Sequence, residues 1–203
     1  MSKHATAATT RSVLPALRVP FDRSRYLLAP AQVITSAETQ LRYRIERLLG
    51  EGGFGRVYLA KRLGRSSIVP DIVCIKVSSR IDGWLREAYF GQLLDGHPRA
   101  IRVFDTFPLM RPGGQVLYCL ALEYARHGDL REFLNRSGKG WPEITVRREI
   151  AGILQVLGKL HRGQMLHRDL TPMNVFVCDG VCLKLGDFGI VSYQSDRRRG
   201  RRS

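Results

Sequence analysis

The middle of the chain alternates hydrophobic and polar residues with the period of two that is typical of half-buried strands. The alternation begins at Leu41, is interrupted by a glycine-rich turn at residues 50–55, and resumes from Arg56 to Lys61. Because a glycine turn joins two alternating runs, the pattern predicts a β-hairpin. Three further strands are predicted at residues 72–77, 100–107 and 115–124.

Other segments space their apolar residues as helices do. One helix is predicted at residues 84–94, between the third and fourth strands, and two more at residues 130–135 and 142–163. In the longest helix we expect one buried face, formed by Ile150, Ile153, Leu154, Leu157 and Leu160. Two short strands are predicted at residues 175–177 and 181–185. Five strands with one inserted helix, followed by a helical region, predict an α+β fold.

Both ends of the chain lack these periods. Residues 1–40 are rich in Ala, Thr, Ser, Pro and Arg, which predicts a flexible leader with a short helical turn near residues 36–40. Residues 194–203 form an arginine-rich tail. The net charge of +15 favours anionic partners, although the five arginines of this tail contribute a third of the excess. The tail could bind nucleic acid non-specifically, but without interleaved aromatic residues or a recognised module we expect no specific nucleic-acid partner.

The four cysteines are scattered, and only Cys178 and Cys182 are close in sequence. Without a nearby histidine this spacing is poor evidence for zinc, and small buried side chains in a reducing compartment are the simpler interpretation. The N-terminus lacks the apolar run of a signal peptide, and no apolar stretch approaches the ~20 residues of a membrane-spanning helix. These features predict a cytoplasmic protein without a membrane segment.

Two features of the predicted sheet suit a phosphate-binding site. The run Gly50-Glu-Gly-Gly-Phe-Gly55 lies between two strands, where glycines let the backbone come close to phosphate oxygens. Taken alone, this run is equally compatible with an ordinary hairpin tip. Lys76 lies among apolar residues on the third strand. It is either an edge residue extended into water or an amine held inside a site, with Glu87 of the predicted helix as its ion partner.

Two later motifs supply a base and hard oxygen ligands. The run His167-Arg-Asp-Leu-Thr-Pro-Met-Asn174 follows the longest helix. Within it, Asp169 can accept a proton from a hydroxyl, and Asn174 can offer an amide oxygen to magnesium. The run Gly186-Asp-Phe-Gly189 places a further carboxylate, Asp187, at the end of a strand. Each aspartate taken singly could also be a turn former.

Taken together and in this order, the motifs resemble those of the eukaryotic-type protein kinase family. The resemblance extends from Tyr43 to Tyr193, and the sequence around the glycine run is similar to that of bacterial Ser/Thr members. The resemblance implies a two-lobe fold. A five-stranded antiparallel N-lobe with one helix and the hinge would occupy residues 41–125, and a partial helical C-lobe residues 126–193. It also implies transfer of the γ-phosphate of ATP to Ser/Thr hydroxyls of a protein substrate, with Mg²⁺.

The resemblance implies a role for each matching residue. Asp169 would be the catalytic base, and Arg168 would answer a phosphorylated activation segment. Lys76 would hold the nucleotide phosphates and pair with Glu87. Magnesium would be bound by Asn174 and Asp187. The implied nucleotide-binding set is Gly50, Glu51, Gly52, Gly53, Phe54, Gly55, Val57, Cys74, Lys76, Leu122, Glu123, Ala125, Asp129 and Phe176.

Three departures from the family pattern weaken the expected activity. Thr171 stands where Ser/Thr kinases usually carry a lysine, and Gly91 stands where they usually pack an apolar side chain. Few residues follow Gly189, and none forms an Ala-Pro-Glu segment. We therefore expect a truncated C-lobe with an apolar patch around Ile153 and Leu157, marginal stability and weak activity. A nucleotide-binding pseudokinase or scaffold is the alternative.

Overall fold

An antiparallel sheet of six strands forms the N-terminal part of the protein. The computed structural model describes residues 27–53, 55–180 and 182–194; residues 1–26, Phe54, Val181 and the arginines of the predicted tail lie outside them. The strands are β1 (Val33–Thr35), β2 (Arg42–Gly52), β3 (Gly55–Leu63), β4 (Ile72–Ser78), β5 (Val103–Met110) and β6 (Val116–Glu123). They lie in the order β1-β2-β3-β4-β6-β5, and helix α1 (Ile81–Leu93) connects β4 to β5. The sheet contains the five strands predicted from the alternation and one more, β1.

Strand β1 corrects the prediction of a flexible leader for the described part of residues 1–40, which begins at residue 27. It pairs with the start of β2, and Leu28 and Ile34 are buried in the core of the sheet. The hydroxyl of Tyr58 accepts hydrogen bonds from the backbone N–H groups of Leu27 and Leu28, at 3.0 and 3.2 Å. A strand of three residues is too short to show alternation in the sequence. Its position depends instead on contacts with distant parts of the chain.

A buried carboxylate fastens the segment after β1 to the sheet. Asp105 of β5 accepts hydrogen bonds from the hydroxyls of Ser36 (3.2 Å), Thr39 (2.7 Å) and Tyr43 (2.9 Å). Burial, together with the nearby Asp105, raises the pKa of the Tyr43 phenol, which keeps it protonated as a donor. These hydroxyls compensate the cost of burying the charge. We refer to the four residues as the Asp105 clasp.

Helix α1 approaches the sheet closely at a glycine. A Cβ atom built on Gly91 would collide with the side chain of Val103 on β5, so this contact requires that residue 91 have no side chain. The departure noted at Gly91 therefore brings α1 nearer to the sheet rather than loosening it. The helix begins at Ile81, before the predicted start at Trp84.

Helices and two small strand pairs form the C-terminal part. The helices are α2 (Leu130–Ser137) and α3 (Glu143–Arg162). Strand β7 (Met165–Leu166) pairs with β10 (Ser192–Tyr193), and β8 (Val175–Cys178) pairs with β9 (Cys182–Leu185). Side chains of α3 and of the β8–β9 hairpin share a hydrophobic core that is distinct from the core of the sheet. None of the described helices is both long and apolar enough to cross a membrane.

The buried face of α3 differs in part from the predicted one. Ile153 and Leu157 are buried, whereas Ile150 is 51% and Leu154 is 59% exposed. An exposed apolar patch was expected around Ile153 and Leu157, but Ile150 and Leu154 are the exposed residues instead. Glu149 belongs to the buried face instead. Charged residues are rarely buried without a partner, so the sequence pattern predicted only apolar residues for the buried face of α3.

Candidate active site

A cavity of about 490 Å³ lies between the sheet and the C-terminal part, a volume that suits a small-molecule ligand. It is lined by the glycine turn, by β4, by the segment after β6 and by the ends of β8 and β9. The predicted site residues that line it are Gly50, Glu51, Gly52, Gly55, Val57, Cys74, Lys76, Glu87, Leu122, Glu123, Ala125, Asp129, Asn174, Phe176 and Asp187. Motifs that are far apart in sequence thus converge on one cavity.

The glycine turn combines two kinds of glycine. Gly55 has a φ of 130°, and a Cβ atom on it would collide with the carbonyl group of Val77, so the fold requires glycine there. Cβ atoms built on Gly50 and Gly52 would meet no atom within 4 Å. Packing within the protein does not require glycine at these two positions, and the space beside their backbone is open to a ligand.

Lys76 joins two carboxylates beside the cavity. Its Nζ lies 2.7 Å from Glu87 Oε2 and 3.0 Å from Asp187 Oδ1. Burial opposes the ammonium charge, but Glu87 and Asp187 outweigh it and raise the pKa of Lys76. The predicted ion pair of Lys76 with Glu87 is therefore formed, and Lys76 is a cation held in a fixed position. We call these three residues the cleft cluster.

Asp169 and Asn174 are bonded to each other in the loop between β7 and β8. The Nδ2 of Asn174 donates to the backbone oxygen and to Oδ2 of Asp169, each at 2.8 Å. The backbone N–H of Gly186, next to Asp187, donates to the backbone oxygen of Asn174 at 2.9 Å. The loop that carries Asp169 is thereby tied to the strand end that carries Asp187. Because the amide nitrogen is engaged, the side-chain oxygen of Asn174 is the atom that can act as a ligand.

Two residues of these motifs have left-handed backbone conformations. Arg168 has a φ of 69° and Asp187 a φ of 57°. Such conformations cost about 1 kcal/mol or more for a residue with a side chain and are concentrated at functional sites. Buried neighbours hold them in place: Nε2 of His167 and the backbone oxygen of Gly186 are 3.1 Å apart, and the His167 ring packs against Phe188. Burial lowers the pKa of His167.

An apolar surface and a short backbone segment form another part of the lining. Its apolar residues include Val57, Cys74, Leu122 and Phe176. Burial raises the pKa of the Cys74 thiol to about 12, so the thiol stays neutral. The carboxylate of Glu123 is bound by Lys184 Nζ at 2.6 Å and accepts from the backbone N–H of Arg102 at 3.2 Å. The backbone N–H of Glu123 is engaged as well, since it donates to the backbone oxygen of Arg102 at 2.9 Å.

Four predicted site residues do not line the cavity or are not described. Asp169 is half-buried and is connected to the cavity through Asn174. Arg168 is exposed. Gly53 lies at the tip of the hairpin, and Phe54 falls outside the described residues. Asp129, in contrast, lines the cavity and also caps α2, where its Oδ1 accepts a hydrogen bond from the backbone N–H of Glu132 at 2.8 Å.

Several residues of the lining were not identified from the sequence. They include Arg47, Leu49, Ile101, Val103, Met173 and Gly186. Ile101 reaches the cavity because its N–H donates to the backbone oxygen of Leu185 at 2.8 Å, a contact that no motif marks. Leu49 could have been found, since it is the apolar residue immediately before the first glycine of the turn.

The oxygen ligands are compatible with magnesium bound together with a phosphate ligand. Among the described residues, no three His, Cys, Asp or Glu side chains are grouped as a metal site. Magnesium commonly uses only one or two protein oxygens and takes the others from phosphate groups and water. Asn174 and Asp187 supply that kind of donor set.

Comparisons with known proteins match this chain to one family. The protein kinase domain family matches residues 43–200. A serine/threonine-protein kinase of Mus musculus is 29% identical over 179 residues, covering 87% of this chain and 42% of its own length. A probable serine/threonine-protein kinase of Streptomyces coelicolor is 35% identical over 159 residues, covering 76% and 23%. One of Myxococcus xanthus is 33% identical over 159 residues, covering 73% and 28%.

The chain thus spans less than half of the length of these relatives. The family match covers well over half of the chain itself and includes every motif that lines the cavity. The chain belongs to the protein kinase family.

Proposed function

We propose that this chain carries the nucleotide site and catalytic loop of an ATP-dependent Ser/Thr protein kinase, which transfers the γ-phosphate to a hydroxyl of a protein substrate. The observation that carries the proposal is the position of Lys76, held between Glu87 and Asp187 at 2.7 and 3.0 Å beside the cavity. A buried ammonium group that is fixed by carboxylates and faces an open glycine turn suits a polyphosphate ligand.

The remaining lining divides between the two ends of ATP. The accessible backbone at Gly50 and Gly52 can donate to phosphate oxygens. The apolar residues around Cys74 and the backbone of residues 123–125 suit a planar base, and Asp129 can accept a hydrogen bond from ribose. The cavity thus offers polar groups for the phosphates and apolar surface for the base.

Asn174 and Asp187 would hold magnesium, because they supply hard oxygen donors close to the proposed phosphate position. When bound, the ion would neutralise charge on the β- and γ-phosphates. Asp187 also binds Lys76, so one carboxylate serves both the ion and the ammonium group.

Asp169 would accept the proton of the substrate hydroxyl as that oxygen attacks the γ-phosphorus atom. Its Oδ2 is fixed by Nδ2 of Asn174, which orients the carboxylate and leaves Oδ1 for the hydroxyl. Arg168 precedes it on the exposed side of the loop.

Transfer of labelled γ-phosphate from Mg·ATP to a mixed Ser/Thr substrate such as casein tests this proposal. Asp169→Asn should reduce the rate about a thousandfold, because the variant retains the shape of the side chain but lacks the base. Asp179→Asn is the matched control, since Asp179 is exposed and lies outside the cavity. Equal transfer by the wild type and Asp169→Asn would contradict the proposed role of Asp169.

A second candidate function, nucleotide binding without transfer, is favoured by Thr171. This residue offers no cation near the transferred group, and its buried Oγ1 has no hydrogen-bond partner among the described residues. Thr171→Lys should raise a measurable transfer rate about tenfold, since a cation there would stabilise the charge on the transferred phosphate. Binding of Mg·ATP, measured by a rise in Tm, with no transfer in either protein would support the second candidate.

A further inference from the structure

Two cysteines face each other across the β8–β9 hairpin. Cys178 at the end of β8 is the register partner of Cys182 at the start of β9. Partners in an antiparallel pair project from the same face of the sheet. The neighbouring pair, Val177 and Leu183, is buried in the core on the opposite face. The two thiols are therefore on the side of the hairpin that faces away from this core.

The spacing of this pair suits a disulfide bond. The N–H and carbonyl groups of Val177 bond to Gly128 and His127, and the N–H of Leu183 bonds to Glu149, so the pair of Val177 with Leu183 is a non-hydrogen-bonded one. Pairs alternate along an antiparallel ladder, which makes Cys178 and Cys182 a hydrogen-bonded pair with Cα atoms ~5.5 Å apart. That distance lies inside the ~4.4–6.8 Å range of disulfides.

The two thiols differ in their surroundings. A guanidinium nitrogen of Arg99, Nη1, donates to Cys182 Sγ at 3.2 Å, and a cationic donor at this distance would stabilise the negative charge that develops on the sulfur as it attacks an oxidant. Burial raises the pKa of Cys178 to about 12, and the carboxylate of Glu123 acts in the same direction. Cys182, with its cationic contact, is thus the better placed of the two to attack an oxidant, and Cys178 is a neutral thiol beside it. Both are free and half-buried.

We propose that Cys178 and Cys182 form a reversible disulfide when the protein meets a peroxide. The sulfur of Cys182 attacks one peroxide oxygen and the O–O bond breaks. The thiol proton joins the leaving hydroxide, which gives a sulfenic acid on Cys182 and one water. The sulfur of Cys178 then attacks the sulfenic sulfur. The S–S bond forms as the S–O bond breaks, and the oxygen leaves as a second water with the Cys178 proton. Two thiols are oxidised and one peroxide is reduced.

The bond would be reducible by a dithiol. The oxidised form is a small ring within one hairpin, so it gains little stability from loop closure compared with a long-range disulfide. Forming it requires Cys182 Sγ to leave Arg99 and Cys178 to leave the small apolar cluster against which it packs. This modification site rests on the hairpin and not on the proposed kinase function.

Peptide mass mapping of the full chain after brief treatment with hydrogen peroxide tests the proposal. Cleavage after lysine and arginine releases residues 169–184 as one peptide that contains both cysteines. After quenching, unfolding and alkylation, this peptide should lack both alkyl groups and two hydrogen atoms. Treatment with dithiothreitol before alkylation should restore both sites. Oxidation of Met173 in the same peptide adds an oxygen atom and is distinguished by mass.

Cys74 and Cys119 provide the internal control, since they are buried in the sheet and are not register partners. They should remain fully alkylated after unfolding. In Cys178→Ser, Cys182 should accumulate as a sulfenic acid that dimedone traps. In Cys182→Ser, Cys178 should remain a thiol. Retention of both alkyl groups in the wild-type peptide, or exclusive formation of disulfides between chains, would overturn the proposal.

Discussion

Two ion clusters that contain a buried glutamate, one in the cleft and one beneath α3, use similar groups in opposite proportions. In the cleft cluster, one cation, Lys76, lies between two carboxylates, Glu87 and Asp187. Beneath α3, one carboxylate, Glu149, lies between two cations, Arg99 and Arg148. The side chains of Glu87 and Glu149 are almost equally buried, 5% and 2% exposed. The burial of these two glutamates therefore does not distinguish the clusters, although Arg148 is itself exposed.

Their hydrogen bonds do distinguish them. Glu149 accepts from both arginines and from the backbone N–H of Leu183 at 2.9 Å, so the α3 cluster is satisfied within the protein. The cleft cluster has excess negative charge and lines a cavity. A saturated cluster stabilises the fold, whereas an unsaturated one beside a cavity is suited to bind cations and their ligands. Changing one carboxylate to its amide in each cluster tests this distinction.

The largest effect is expected for Asp187→Asn. We expect phosphate transfer to fall by about a thousandfold, because the amide cannot balance a cation at the proposed phosphate position. The ion pair of Lys76 with Glu87 remains, so the free energy of unfolding should change by less than about 0.5 kcal/mol. Transfer assays and urea denaturation measure the two quantities. A large loss of stability with unchanged transfer would show that the cleft cluster is structural.

Glu149→Gln should show the reverse. We expect the free energy of unfolding to fall by about 3 kcal/mol, because the variant leaves a partly buried Arg99 without its carboxylate. Transfer per folded molecule should stay unchanged, since Glu149 does not line the cavity. Urea denaturation followed by transfer assays on the folded fraction compares the two effects. A selective loss of transfer would place Glu149 in the catalytic machinery and contradict the distinction.

Gly91→Ala tests how much the cleft cluster depends on the position of α1, which carries Glu87. The added methyl group would collide with Val103, so we expect a loss of about 2 kcal/mol in stability and weaker nucleotide binding as Glu87 moves from Lys76. Gly83→Ala on the same helix is the control, because a Cβ there meets no atom within 4 Å. It should leave stability unchanged or raise it by up to about 1 kcal/mol. Equal effects of the two variants would contradict the close contact.

The smallest effect is a difference in acid sensitivity. Although burial opposes its charge, the hydrogen bonds from Arg99 and Leu183 lower the pKa of Glu149 below its ordinary value of 4.5. Below that pH the unfolded chain binds a proton that the folded chain does not. The wild type should therefore lose up to about 1.4 kcal/mol of stability per pH unit from this group as the pH falls. Urea denaturation at pH 5 and pH 4 should show the gap between wild type and Glu149→Gln narrowing.

The residues that converge on the cavity could be predicted from the sequence, because most of them belong to short motifs. The spacing of strand and helix indicated that Glu87 could reach Lys76, and the structure forms this pair. Within the described residues, the predicted nucleotide-binding residues line the cavity apart from Gly53. The roles assigned to these residues in catalysis stay predictions, as does the cytoplasmic location.

Features that depend on contacts between distant residues could not be predicted. The burial of Glu149 depends on Arg99, which lies before β5, and the hydrophobic pattern of α3 contains no sign of it. The role of Gly91 depends on how closely β5 approaches α1. From the sequence alone, a glycine within a helix suggests only a weaker helix. In both cases the deciding partner is in another element.

The Asp105 clasp determines where a fragment of this protein can begin. A fragment starting at residue 41 would remove Ser36 and Thr39, leaving Tyr43 as the sole hydroxyl of the clasp. It would also uncover the sheet face now packed against Leu28 and Ile34. We therefore expect the cooperative unfolding unit to extend to at least Leu28, and recombinant fragments trimmed to the alternating pattern to expose an apolar surface prone to association.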